Sequence, residues 1–215
     1  MKIDYFTFGP FGENTFVISD DSKECIILDP GCSSVSEEQA LVQYIEKEGL
    51  KPVKIVLTHA HIDHIMGCQF VSEKYQLAIY AHPRASEMIE ASVMIAQMYG
   101  LPYKPSPAPN YFINEGDELA FGNTRFQLLH CPGHSPDSIV FYNEVEKVCV
   151  AGDVLFNGSI GRTDLPGGNH EELLNSIRQK LFVQLSDEYV VYCGHGPETT
   201  IGEEKISNPF VGENA

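Results

Sequence analysis

The amino-acid sequence predicts an α/β fold, with α+β character, built on mixed β-sheets. Short apolar and β-branched runs that suit strands alternate with longer segments in which apolar residues recur at helical spacing. Hairpin signals occur both early and late in the chain, and a sheet made purely of βαβ units would lack them. The sequence has no internal repeat and no composition shift that marks a linker. We therefore expect residues 1–215 to form a single domain.

The N-terminal half is predicted to begin with a hairpin and to continue as alternating helices and strands. Apolar runs at 16–19 and 25–28 flank a polar stretch, which is typical of a hairpin. Ser36 and Gln39 fit a capping box, so we expect a helix that starts at Ser36 and ends at Gly49. Further elements are predicted at 54–57 (strand), 64–75 (helix), 77–81 (strand) and 84–99 (helix).

The C-terminal half is predicted to contain several strands and one further clear helix. Prolines at positions 102, 105, 107 and 109 favour an extended loop before these strands begin. Asn169 is expected to cap the helix, because apolar residues at helical spacing follow it. Strands are predicted at 111–113, 124–129, 138–142, 148–151 and 189–192.

Charge and composition exclude several classes of protein. Acidic residues number 30 against 14 basic ones, the net charge is −16, and no run of Lys or Arg could follow a phosphate backbone. Nucleic acid is therefore not an expected partner. No apolar stretch reaches the ~18 residues of a membrane span, and the N-terminus lacks a signal-peptide pattern. We expect a cytoplasmic protein whose six cysteines are reduced.

Four side chains that can bind a metal ion lie within six residues, in the segment from His59 to His64. An apolar strand at 54–57 precedes them, which is unlike a polar surface loop. His59 and His61 are two residues apart, and in an extended chain their rings project to the same side. Asp63 and His64 follow where the chain turns toward a helix. The sequence therefore predicts a metal site in this segment.

Three more potential ligands stand at the ends of predicted strands. His134 follows a Pro-Gly turn, Asp153 comes at the exit of a buried strand, and His195 lies between two glycines. A carboxylate in such a position is costly to bury unless a cation is close. The repeated placement of such residues at strand ends, beside the dense segment, strengthens the prediction that they bind metal.

Taken in order, the H-x-H-x-D-H motif, Gly133-His134, Gly152-Asp153 and Gly194-His195 resemble the metallo-β-lactamase superfamily. The resemblance begins at Asp29-Pro30-Gly31 and covers nearly the whole chain. It implies a four-layer αββα sandwich with the metal site at one edge, between two mixed sheets.

The resemblance also implies a set of ligands for two metal ions. The first metal would be bound by His59, His61 and His134, the second by Asp63, His64 and His195, and Asp153 would bridge them. Asp29 is expected to contact and orient a ligand from behind. The other interpretation of Asp29 is a turn-forming Asp-Pro pair.

The predicted ligands are imidazoles and carboxylates, which suit zinc, and iron or manganese accepts the same groups. Two zinc ions that share a water lower its pKa, and the resulting hydroxide would attack a carbonyl. Asp63 would orient this nucleophile and later accept its proton, while Asp153 holds both metals. The expected reaction is the hydrolysis of an activated ester, thioester or amide.

Within the superfamily, the residues from Asp153 to Arg162 look like those of glyoxalase II, the hydroxyacylglutathione hydrolases. This resemblance implies a small thioester substrate whose thiol carrier is anchored by Arg162. The other interpretation of Arg162 is a surface arginine paired with Asp164. Pro197 stands where glyoxalase II has a tyrosine, and a C-terminal helical domain is not expected. The closest resemblance is therefore to short, single-domain glyoxalase II-like enzymes.

The sequence leaves two alternatives to a thioester hydrolase. The stretch Gly161-Arg162-Thr163-Asp164 also resembles the persulfide dioxygenase branch of the superfamily, which implies a single iron bound by His59, His134 and Asp153. The other alternative is a zinc-binding protein without enzymatic activity. An open site with a bridging carboxylate suits catalysis better than storage.

Overall fold

Two mixed β-sheets organise the part of the chain that this computed structural model describes, residues 1–213 and 215. The strands are β1 (Lys2–Phe8), β2 (Glu13–Ser19), β3 (Glu24–Leu28), β4 (Lys51–Val56), β5 (Ile79–Ala81), β6 (Tyr111–Phe112), β7 (Glu118–Phe121), β8 (Thr124–His130), β9 (Ile139–Asn143), β10 (Val148–Gly152), β11 (Leu155–Phe156), β12 (Ser159–Ile160), β13 (Val190–Cys193) and β14 (Thr199–Thr200). The helices are α1 (Val35–Glu48), α2 (Ile62–Ile65), α3 (Cys68–Tyr75), α4 (Ala85–Tyr99), α5 (His170–Asn175), α6 (Phe182–Gln184) and α7 (Ile201–Ser207), with a π-helical segment, Ser176–Leu181, between α5 and α6. The predicted α/β class with mixed sheets is confirmed.

The described residues fall into two compact units, each with its own buried core. The first contains Met1–Ile113 and Ala120–Arg125, and the second contains Asn114–Leu119 and Phe126–Ala215. That residues 1–215 form one domain therefore stays a prediction. Among the described residues, no helix is both long and apolar enough to cross a membrane.

In the first unit, the sheet has the strand order β1-β2-β3-β4-β5-β6. β1, β2 and β3 pair antiparallel, which confirms the predicted hairpin, and β3 to β6 pair parallel. The parallel pairing of β3 with β4 brings their C-terminal ends together. Asp29, just past β3, donates its backbone N–H to Val56 O at 2.9 Å. The loop that follows β4 therefore starts beside Asp29.

The N-cap of α1 is Ser34, and the prediction of Ser36 is wrong. Ser34 has an extended backbone, and its hydroxyl accepts the Glu37 N–H at 3.3 Å. The Glu37 carboxylate in return accepts the backbone N–H groups of Ser34 and Ser33, at 3.1 and 2.7 Å. Both Ser34 and Ser36 precede a capping side chain by three residues, and the additional bonds of Glu37 decide between them. Gly49 ends the helix in a left-handed conformation, as predicted.

In the second unit, the sheet has the order β14-β13-β10-β9-β8-β7, and β10 pairs parallel with β13. Asp153 follows β10 and His195 follows β13, so both residues stand at the same end of adjacent strands. The Gly194 N–H donates to Gly152 O at 2.8 Å and joins these two strand ends. The sheet therefore fixes the main chain that carries two of the predicted ligands.

The sequence does not predict the β11–β12 hairpin, the strand β14 or the helix α7. None of these elements exceeds seven residues, so each carries little periodic signal. The predicted helix from Asn169 is confirmed, because the Asn169 side chain accepts the Glu172 N–H at the start of α5. The π-helical segment continues this helix toward its C-terminal end.

All six cysteines are buried thiols, and the described residues contain no disulfide. Burial raises the pKa of four of them to about 12: Cys25, Cys32, Cys131 and Cys193. A thiol reacts as its thiolate, which is scarce at neutral pH when the pKa is so high. The cysteines are therefore poorly suited to act as nucleophiles.

We expect the native protein to resist a thiol reagent. Near neutral pH, Ellman's reagent should modify less than one thiol per chain over several minutes, because all six are buried. In concentrated guanidinium chloride all six should react, which provides the control. Rapid modification of a thiol in the native protein would contradict this burial.

Candidate metal centre

The H-x-H-x-D-H segment of the first unit begins on the loop after β4 and continues into α2. Leu57 still pairs with the sheet, donating to Tyr80 O at 2.9 Å, and the chain then leaves the sheet. His59 and His61 face each other, with His59 Nε2 3.2 Å from His61 Nδ1. The ring of His64, in α2, lies 4.1 Å from that of His59 between centroids. The structure therefore brings these imidazoles together.

Asp29 lies behind His64 and holds its ring. The buried carboxylate accepts the Thr58 N–H at 2.7 Å through Oδ1, and its Oδ2 lies 3.0 Å from His64 Nδ1. With Nδ1 held in this way, Nε2 is the nitrogen through which His64 could bind a metal, and Asp63 Oδ2 lies 3.9 Å from it. Burial raises the pKa of Asp29, and the hydrogen bond with His64 opposes this rise. These contacts fit the orienting role of Asp29, which stays a prediction.

Glu13 is a residue of this region that the sequence does not point out. It is fully buried at the start of β2, where Oε2 accepts the Thr15 hydroxyl at 2.9 Å and Oε1 lies 4.0 Å from His64 Nδ1. Gly31 makes room for this carboxylate, because a Cβ there would stand 2.0 Å from Glu13 Oε2. Burial raises the pKa of Glu13 well above its ordinary value. An acidic residue that opens a fully buried strand is the signal that the sequence offers, and it is weak.

The second unit gathers His134, Asp153 and His195 around one carboxylate oxygen. Asp153 Oδ2 lies 3.5 Å from His134 Nε2 and 3.5 Å from His195 Nε2. His134 and Asp153 are buried, whereas the side chain of His195 is 27% exposed. A carboxylate oxygen this close to two imidazole nitrogens could bind a metal ion together with either of them. This unit therefore brings its predicted ligands together.

The main chain of Gly161 and Arg162 packs against His134 and Asp153. The Arg162 carbonyl accepts a hydrogen bond from His134 Nδ1 at 2.8 Å, which orients the ring and presents Nε2. Gly161 must lack a side chain, because a Cβ there would stand 1.9 Å from Asp153 O and 2.9 Å from the His134 ring. The segment after the β11–β12 hairpin thus supports two of the predicted ligands.

The side chain of Arg162 is exposed and pairs with Asp164. Its Nε and Nη2 donate to Asp164 Oδ1 and Oδ2, both at 2.7 Å, and both side chains are more than half exposed. The hydrogen bonds from Arg162 lower the pKa of Asp164 to about 2. This pairing matches the interpretation of Arg162 as a surface arginine paired with Asp164. The role of Arg162 as a substrate anchor stays a prediction.

The three remaining histidines are not among the predicted ligands. His82 Nδ1 accepts the Arg84 N–H at 3.3 Å. His130 Nε2 donates to Pro136 O at 3.0 Å, and His170 is exposed. Within the part of the chain that the structure describes, none of them joins a group of side chains that could hold a metal ion.

The chemistry of these side chains fits divalent metal ions. Imidazole nitrogens and carboxylate oxygens are ligands of both zinc and iron. Burying the carboxylates of Glu13, Asp29 and Asp153 is costly without a compensating positive charge, and a bound cation would offset that cost.

Comparison with known proteins places this arrangement in a family. The model of the metallo-beta-lactamase superfamily matches residues 8–195. Hydroxyacylglutathione hydrolase GloC from Haemophilus influenzae is 38% identical over 213 residues, which cover 98% of this chain and 98% of that protein.

Solved structures show the same fold. The crystal structure of BLEG-1 B3 metallo-beta-lactamase has a TM-score of 0.90 and 37% identity, covering 98% of this chain and 99% of that one. The crystal structure of TTHA1623 in a di-iron-bound form has a TM-score of 0.86 and 37% identity, covering 96% and 99%. By its fold and by the extent of these matches, the chain belongs to the metallo-β-lactamase superfamily.

Proposed function

We propose that this chain is a dinuclear metal-dependent hydrolase of hydroxyacyl thioesters, acting in the cytoplasm on a small-molecule substrate. The observation that carries the proposal is Asp153 Oδ2, placed 3.5 Å from each of two imidazole nitrogens. An oxygen so placed is suited to bridging two metal ions. The 38% identity to a hydroxyacylglutathione hydrolase, over 98% of both chains, supports the thioester class.

The proposed ligands form two sets that share one carboxylate. His59, His61 and His134 would bind one metal, Asp63, His64 and His195 the other, and Asp153 would bridge them. Zinc is the proposed metal because imidazole and carboxylate ligands suit it. Iron and manganese are compatible with the same ligand types, and TTHA1623, which is similar to this chain, has been solved in a di-iron-bound form.

When bound, such metal ions polarise a carbonyl and acidify water. The chain's own residues orient the ligands and handle the proton. Asp29 holds Nδ1 of His64, and the Arg162 carbonyl holds Nδ1 of His134, so each ring offers Nε2. Asp63 is half-buried at the start of α2, and we propose that its carboxylate orients the attacking water and accepts its proton.

Arg162 is the proposed anchor for the thiol carrier of the substrate. Its guanidinium is exposed and already binds a carboxylate, that of Asp164, through two hydrogen bonds at 2.7 Å. A carboxylate of the substrate could replace Asp164 in the same bidentate geometry. Binding would then exchange one exposed ion pair for another.

Metal content tests the proposed centre directly. Protein purified without added metal or chelator should contain about two zinc ions per chain by elemental analysis, because the ligands suit two sites. About one iron per chain would contradict the proposal and favour the persulfide dioxygenase alternative. Oxygen uptake with a persulfide substrate would then be the assay to follow.

Replacing the bridging carboxylate should abolish turnover. In Asp153→Ala we expect hydrolysis of lactoylglutathione to fall to the uncatalysed background while the circular dichroism spectrum is retained, since both metals lose a shared ligand. Asp21→Ala removes an exposed carboxylate of the first unit and should behave as the wild type. Turnover in Asp153→Ala comparable to that of Asp21→Ala would be incompatible with the assignment.

The two partners of the exposed ion pair should affect substrate binding in opposite ways. Arg162→Ala should raise KM a few-fold with little change in kcat, because an exposed ion pair contributes up to ~1 kcal/mol and Asp164 competes for the guanidinium. Asp164→Asn should leave KM unchanged or lower it, since the guanidinium no longer exchanges one carboxylate for another. An unchanged KM in Arg162→Ala, measured on the best thioester found, would rule out the anchoring role.

A further inference from the structure

Glu204 is a buried carboxylate of the second unit that belongs to neither the predicted ligands nor their immediate supports. It lies on α7 with 2% of its surface exposed. Oε1 accepts the Thr199 hydroxyl at 2.6 Å, and Oε2 accepts Asn208 Nδ2 at 2.6 Å. The Gly158 N–H lies 3.1 Å from both oxygens. A carboxylate is costly to bury, and here directed hydrogen bonds from neutral donors offset that cost.

The hydrogen bonds from Gly158 and Asn208 to Glu204 fix the β11–β12 hairpin. Gly158 is in the turn of this hairpin, and Asn208 Nδ2 also donates to Ser159 O at 3.0 Å. The hairpin begins two residues after Asp153 and ends just before Gly161. Glu204 and Asn208 therefore hold the turn of the connection that joins Asp153 to the main chain supporting His134.

The hydrogen bond from the Thr199 hydroxyl to Glu204 fixes the segment that follows His195. Thr199 opens β14, which returns antiparallel to β13, with Val191 opposite Thr199. The chain from His195 to Thr199 is thus held at one end by β13 and at the other by Glu204. The hairpin reaches this segment as well, because the Phe156 ring lies edge-on to the His195 ring, 6.1 Å away between centroids.

We propose that Glu204 is a positioning residue for the metal ligands Asp153 and His195, acting through the β11–β12 hairpin and Thr199. This inference rests on the proposed metal centre. Apolar packing alone could attach α7 to the unit, since Ile201 on the same helix is fully buried. The carboxylate adds directional hydrogen bonds. Through them a single group fixes the segment that follows Asp153 and the segment that follows His195 relative to each other.

The test is the zinc affinity of the metal-loaded protein, measured by competition with a chromophoric zinc chelator. Glu204→Ala removes every bond of the carboxylate and should weaken zinc binding several-fold, which is less than the ~10- to 100-fold that follows loss of a group bonded directly to a ligand. Glu204→Gln should stay close to the wild type. Its amide oxygen can still accept from Asn208 and Gly158, while its NH2 group can donate to the Thr199 hydroxyl.

Two controls separate positioning from general loss of stability. Glu203→Gln changes the charge of an exposed neighbour on α7, whose Oε2 lies 3.4 Å from Thr199 Oγ1, and should bind zinc as the wild type does. Leu185→Ala truncates a side chain of the same core that is 1% exposed. It should lower the thermal midpoint without changing zinc affinity. Should Glu204→Ala fail to fold, Thr199→Val removes one of the bonds with little change in shape and should still weaken zinc binding.

Zinc affinity in Glu204→Ala equal to that in Leu185→Ala would overturn the inference, as would wild-type affinity in Thr199→Val. Equal losses in Glu204→Gln and Glu204→Ala would also overturn it, because positioning by hydrogen bonds predicts rescue by glutamine. A wild-type chain that binds two zinc ions but hydrolyses no thioester would contradict the proposed substrate alone. A wild-type chain that binds no metal would overturn both proposals.

Discussion

Buried carboxylates that accept directed hydrogen bonds organise both units of this chain. Asp29 joins the end of β3 to the loop after β4 through the Thr58 N–H, and Glu204 joins α7 to the β11–β12 hairpin. An interior carboxylate that loses its donors costs ~1–3 kcal/mol or more, because it has left water behind. Such groups therefore tolerate few arrangements of their neighbours. The loops that carry the predicted ligands contain little regular secondary structure. The hydrogen bonds of these buried carboxylates fix the conformation of the loops.

The candidate ligands could be found from the sequence because their signal is local. The H-x-H-x-D-H segment needs a few consecutive residues and a preceding apolar strand, and both are visible in the chain. The hairpin of β2 and β3 is visible for the same reason: two apolar runs flank a polar turn. His134, Asp153 and His195 stand after strand-like runs, so the sequence predicts the order of the candidate ligands along the chain.

The supporting residues could not be found in this way, because their contacts join distant parts of the chain. Glu204 and Gly158 are 46 residues apart, and neither has a neighbour in sequence that indicates the other. Glu13, on β2, approaches His64, on α2 of the same unit. The local sequence pattern does not distinguish Ser34 from Ser36 as the N-cap of α1. A distant contact favours Ser34, because the Glu37 carboxylate that completes its capping box also accepts the Gly9 N–H at 3.0 Å. Local sequence patterns indicate which residues can act as metal ligands. Tertiary contacts determine which other residues hold those ligands in position.

The contact between His134 and Arg162 has a consequence for how such a site could change over time. The group that orients His134 is a main-chain carbonyl, which every amino acid at position 162 would supply. The side chain at this position is exposed and pairs with Asp164. Mutation at 162 can therefore alter what the surface recognises while the imidazole keeps its partner. Gly161, by contrast, cannot vary without collision. Adjacent positions thus differ sharply in their freedom to evolve, which allows one scaffold to acquire new substrates without rebuilding its centre.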